Sequence, residues 1–145
     1  MSKKVVILTF VAGIIITLIT IEVLSLNAQE LHHSGTIVSN IGVYYDSMCT
    51  NETINIYWGI LTPSEVKNVD LFIKNNKNTT MTMTMSTDKW NPLNATNYFS
   101  LTWNYTSKQI TPYSIIPVKL TLNVSENVTG INDFSFNIII TGSWI

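Results

Sequence analysis

FSLTWNYT, residues 99–106, alternates without exception: Phe99, Leu101, Trp103 and Tyr105 are apolar or aromatic, while Ser100, Thr102, Asn104 and Thr106 are polar. A period of two puts each set on its own face of an extended chain, so the stretch reads as a β-strand with an aromatic inner face and a wet outer face. Two more stretches obey the same rule. VKLTLNVS (118–125) turns Val118, Leu120, Leu122 and Val124 inward, and FSFNIIIT (134–141) turns Phe134, Phe136, Ile138 and Ile140 inward. Such clean alternation belongs to antiparallel sheets with one solvated face.

Working outward, GTIVS (35–39), IGVYYD (41–46), INIYWGIL (54–61), VKNVDLFIKN (66–75) and TTMTMTMS (79–86) are apolar runs bounded by Asn, Gly, Pro and Ser. They bring the expected strands to about eight. Pro63, Pro92 and Pro112 fall between runs, Pro117 falls at a strand start where a missing N–H is tolerated, and KNNKN (74–78) is short enough for a hairpin. No amphipathic helical pattern interrupts the series. Residues 29–145 therefore read as one all-β domain, an antiparallel immunoglobulin-like or jelly-roll sandwich, with a small barrel as the lesser option.

Residues 1–28 have another character. Lys3 and Lys4 precede an uncharged run from Val5 to Ile21, and apolar residues continue past Glu22 to Leu26. As a helix, Val5–Ile21 spans ~25 Å and the stretch to Leu26 ~33 Å, against a hydrocarbon core of ~30 Å. The run is apolar all round, which argues against a surface helix of the domain. It is expected to be an N-terminal apolar helix acting either as an uncleaved signal anchor or as a signal peptide removed after Ala28. Both readings leave the N-terminus inside and the domain outside the membrane, because the lysines precede the run.

Composition narrows function. The 145 residues leave room for one domain and a short extension. All eight cations are lysines and the formal net charge is -1, a poor match to phosphate-backbone binding, so nucleic acid is not an expected partner. Only 12% of residues are charged, and the polar surface must come from 16 Asn and 32 Ser plus Thr.

Six sequons, at Asn51, Asn78, Asn94, Asn104, Asn123 and Asn127, all follow the apolar segment and are candidate glycan acceptors. Cys49 is alone, so it reads as a buried thiol or as one half of an interchain disulfide. His32 and His33, adjacent to each other, read as solvated linker residues. A copper centre would need a histidine after Cys49, and there is none. Met81, Met83 and Met85 alternate with threonines, as core methionines on a strand would. Asp46, Glu52, Glu65, Asp70, Asp88, Glu126 and Asp133 are scattered singly, with no Ser-His-Asp set, glycine-rich phosphate loop, HExxH or CxxC. No enzyme activity, cofactor, metal or small-molecule substrate is expected. Trp58 and Trp103 read as core, whereas Trp90 and Trp144 are the candidate partner contacts.

YYDSMCT, IYWGILTPSEVKNVDLFIKN, KWNP, FSLTWNY, ITP and FSFNIIITG, in that order between Val43 and Gly142, resemble a series in small archaeal surface proteins. Those proteins carry an apolar N-terminal segment and an immunoglobulin-like sandwich. Pro63 is followed by Ser64 where they have Pro-Gly, so the turn type is expected to differ. A more distant resemblance is to archaeal extracellular filament subunits related to camelysin-like fibres. There the signal is cleaved, and the freed N-terminal strand of one subunit completes the sheet of the next; the resemblance makes Gln29–Tyr45 the donor here. The expected role is a non-enzymatic cell-surface component, in adhesion or envelope structure, contacting the membrane and other surface proteins or like subunits. Its rivals are a filament subunit and a single-pass accessory subunit of a membrane complex, the latter packing through Ala12 and Gly13.

Overall fold

The computed structural model describes residues 33–145, and the expected apolar helix within residues 1–28, like His32, lies outside the described residues. Eight strands follow in order: β1 (His33–Ser39), β2 (Gly42–Tyr44), β3 (Asn55–Tyr57), β4 (Val66–Lys74), β5 (Met81–Asn91), β6 (Phe99–Trp103), β7 (Ile115–Val124) and β8 (Phe134–Trp144). A 3-10 turn, Leu93–Asn97, joins β5 to β6. No helix among the described residues is long and apolar enough to cross a membrane.

Two four-stranded sheets form, one ordered β3-β1-β8-β5 and the other β2-β4-β7-β6. Their facing sides are the apolar sets of the alternating runs. Phe134, Phe136, Ile138 and Ile140 of β8 and Val118, Leu120, Leu122 and Val124 of β7 are all buried. Met81 and Met83 of β5 join them, with Met85 packed against the cluster. Each such side chain contributes about 1.5–3 kcal/mol when withdrawn from water. With no intrachain disulfide available to the single Cys49, burial is what holds this domain.

One pairing departs from the expected antiparallel pattern. β1 runs parallel to β8, Ser34 beside Ser135 through Ser39 beside Ile140, which makes the first sheet mixed. The two strands are far apart in sequence, so no hairpin dictates their relative direction, and alternation carries no sign of it. Gly35 allows the approach: a Cβ there would lie 2.8 Å from Ile138 Cδ1. A second correction concerns His33. It opens β1 on the inward phase, is only 6% exposed, and meets Phe134 edge-on at 5.0 Å. It is a core residue, not part of a solvated linker.

Pro117 is the third residue of β7, opposite Phe72 of β4. Bonds toward β6 end with Asn104 N donating to Lys119 O at 3.2 Å. Beyond that point β6 offers no acceptor, so the imide nitrogen of Pro117 leaves no ladder bond unmade.

Candidate functional site

The two lateral sides of the sandwich differ. Along one side, β2 and β3 are joined by residues 45–54, and that loop bonds to the strands it connects. Thr53 N donates to Val43 O at 2.9 Å, Tyr45 N to Asn51 O at 2.9 Å, and the Tyr45 hydroxyl to Asn55 O at 2.8 Å. The Asp46 carboxylate gathers the tip by accepting from Asn51 N at 2.6 Å, Met48 N at 3.0 Å and Thr50 N at 3.0 Å. Those bonds, Asn51 N–H first, together hold its pKa below the ordinary aspartate value against the opposing effect of desolvation.

Along the other side, β5 and β6 are the outermost strands and their outward backbone groups meet few partners. Met81 exchanges two bonds with Ile110, at 3.0 and 2.8 Å. Met83 N donates to the Tyr105 hydroxyl at 3.2 Å, and that hydroxyl donates onward to Lys108 O. The 3-10 turn closes the far end with Ala95 fully buried. Between these ties Met85, Leu101 and Trp103 are only half-buried. Where β6 stops, a cavity of about 460 Å³ opens, lined by Tyr105, Ile110, Ile116 and Pro117 among others. Tyr105 was legible as an inward residue of its strand; its role as a hydroxyl bridge between sheets depends on a long-range contact that alternation does not encode.

Asn51, Asn78, Asn94, Asn104 and Asn127 are exposed, and Asn123 is half-buried near the end of β7. Asn104 Oδ1 accepts from Lys119 N at 2.8 Å, which orients the amide while its Nδ2, the atom a glycan would use, has no partner among the described residues. In the Asn94 sequon, the Thr96 hydroxyl is engaged with Leu93 O at 2.9 Å.

Cys49 is half-buried in the β2–β3 loop in a left-handed backbone conformation, φ 55°. Burial pushes its thiol up, with Lys74 acting in the opposite sense and Asp46 in the same. Trp90 stacks on Phe136 with ring centroids 4.0 Å apart and planes 3° from parallel, and its Nε1 donates to Thr87 Oγ1 at 3.1 Å. One of its faces is therefore covered by the core. Trp144, at the end of β8, is 36% exposed, and Trp58 is 4% exposed. Among the described residues no three of His, Cys, Asp and Glu gather closely enough to hold a metal ion.

Comparison with protein-family models finds no match, and comparison with curated proteins finds none.

Proposed function

We propose that this chain is a non-enzymatic surface protein: an immunoglobulin-like or jelly-roll sandwich held outside a membrane by residues 1–28, bearing N-linked glycans and acting through contact. The observation that carries this reading is the character of the outer sheet faces. Thr82, Thr84, Ser86, Ser135, Asn137 and Thr141 lie on one outer face and Asn68, Ser100, Thr102, Thr121 and Asn123 on the other, so that hydroxyl and amide groups outnumber charges such as Asp88 and the Asp70–Lys119 pair at 3.9 Å. Five of the six sequon asparagines are exposed alongside them. Intact mass and N-terminal sequence of native protein test it together. The reading expects a start at Met1 or Ser2 and a mass that falls on deglycosylation; a single unmodified mass removes the glycoprotein part.

A second reading, a filament subunit built by strand exchange, is favoured by β1. This strand lies between β3 and β8 and connects to β2 through Asn40 and Ile41 alone. It is the kind of element one subunit can lend another, since the slot it leaves has hydrogen-bonding edges on both sides. Ser34 and Ser135 are aligned partners, so Ser34→Cys with Ser135→Cys in a Cys49→Ser background distinguishes the cases. Exchange yields a ladder of crosslinked chains, and a self-contained domain yields a crosslinked monomer.

A further inference from the structure

At the end of the sandwich where β4 and β8 finish, a groove of about 300 Å³ is lined by Tyr44, Glu52, Lys74, Asn76, Lys77 and Trp144, among others. It goes unused by the display role. Trp144 forms a fixed wall: its Nε1 donates to Asn75 Oδ1 at 3.4 Å, and Asn75 is fully buried, with its own amide donating to Thr79 O at 2.8 Å, Thr111 O at 3.1 Å and Ile110 O at 3.2 Å. The indole edge is thus anchored from beneath while part of the ring stays in solvent. Tyr44 supplies a second aromatic wall, folded back over its own strand. A Cβ on Gly42 would sit 2.6 Å from the Tyr44 ring and hydroxyl, so glycine at that position is what lets the ring lie there.

Of the polar side chains around these rings, Ser39 and Asn40 are bonded to Ile41 and Gly142, and the rest are uncommitted. Glu52, Lys74 and Asn76 have no side-chain hydrogen bond or ion pair among the described residues. The Lys77 ammonium has only the Trp144 ring, 5.7 Å from its centroid. Charged and amide groups around an anchored indole can answer a ligand with one flat C–H face, several hydroxyls and a negative group. The volume is at the low end of small-molecule sites, about 300–1,000 Å³. We propose that the groove is a saccharide-binding site that takes a pyranose bearing an anionic substituent, a uronate or a sulfate ester. The ring stacks on Trp144, Asn76 and Glu52 meet its hydroxyls, and Lys74 and Lys77 face its anion.

Such a sugar has two sources, a foreign polysaccharide or a glycan on another copy of this chain. Asn51 and Asn78, exposed sequon residues, adjoin Glu52 and Lys77 in the chain.

The test uses the full chain made without glycans, in a sugar-free detergent, titrated calorimetrically with methyl glucuronoside, methyl glucoside and acetate. The glucuronoside is expected to bind most tightly and acetate not to bind. Trp144→Ala is expected to weaken the glucuronoside at least tenfold and Trp144→Phe to keep most of the affinity. Lys74→Gln with Lys77→Gln is expected to erase the preference over the glucoside. Absence of binding by either glycoside overturns the proposal, and so does affinity unchanged in a Trp144→Ala protein that melts like the parent. Acetate binding as well as the glucuronoside would show a simple anion site and also overturns it. With the assignment standing, glycosylated native chain identifies the source: self-association dispersed by free glucuronoside points to a neighbouring copy, and a monodisperse chain that still binds the probe points to foreign saccharide.

Discussion

The β2/β3 side of the sandwich is closed by one ten-residue loop that bonds to the strands it leaves and enters, whereas the β5/β6 side is closed by ties from three separate segments. Local closure costs little chain entropy, because the bonded groups are already neighbours in sequence. The ties to Ile110 and Tyr105 bring together residues more than twenty positions apart and leave outward backbone of β5 and β6 between them unpaired among the described residues. The first opening of this domain should therefore run along β5 and β6, and an incoming strand or partner would find its free peptide groups there.

The largest expected effect separates two tryptophans, one per side. Trp58, just after β3, is 4% exposed, and Trp103, on β6, is half-buried. Trp58→Ala should cost about 3–5 kcal/mol in denaturant unfolding and Trp103→Ala about 1–2 kcal/mol, since the second already spends part of its surface in water. Equal losses would break the contrast. Trp58 Nε1 is buried without a partner among the described residues, so Trp58→Phe should recover much of the loss by removing an unsatisfied donor.

A smaller effect is expected from Tyr105→Phe, which removes the acceptor of Met83 N and the donor to Lys108 O while keeping the ring. The expected destabilisation is about 1 kcal/mol, with faster amide exchange at Met83 and none of that change at Thr53. Loss of protection on both sides at once would show that the two edges open as one unit. In the parent protein, the outward amides of Met85 and Leu101 should already exchange faster than that of Thr53, which donates to Val43 O.

The places of the eight strands were readable, three from clean alternation and five as bounded apolar runs, because a half-buried strand writes its two faces into alternate residues; their ends were not, since the run 54–61 yields only Asn55–Tyr57 and the run 79–86 extends to Asn91. What escaped depends on which strands meet. The parallel seat of β1 against β8 involves Ser34 and Ser135, polar residues that look alike in either direction. His33 was misjudged because its place beside a long apolar segment hid that it begins the inward phase of Gly35 and Ile37. Trp90 lies within the irregularity between Asp88 and Asn91, where the register of β5 shifts, so simple alternation could not assign its face. The Trp144 groove was half-visible: the exposed indole was a candidate contact, but Tyr44, Glu52, Lys74 and Asn76 come from distant segments that only the fold brings together.

The smallest expected effect sharpens the contrast through acid. The closed side relies on an anion, Asp46, while the ties of the open side are peptide groups and a phenol. A carboxyl with a depressed folded-state pKa stabilises fully above its unfolded pKa and loses that stabilisation as pH falls through the folded one. Asp46 falls in this class, and so does Glu65, which Lys67 at 2.8 Å, aided by the Thr62 N–H and hydroxyl, lowers from 4.5 to about 2. Both carboxyls are only half-buried, so solvent screening keeps the change in global stability small. Between about pH 4.5 and 2 the Glu65 contribution should fade, and Glu65→Gln should flatten that part of the stability profile. As Asp46 takes up its proton, the amides of Met48, Thr50 and Asn51 should lose protection while Met83 keeps its own, and Asp46→Asn should show the same loosening at neutral pH. If Met83 loosened at the same pH as Asn51, the two sides would share one acid transition, and the division between an ionic closure and a neutral one would fail.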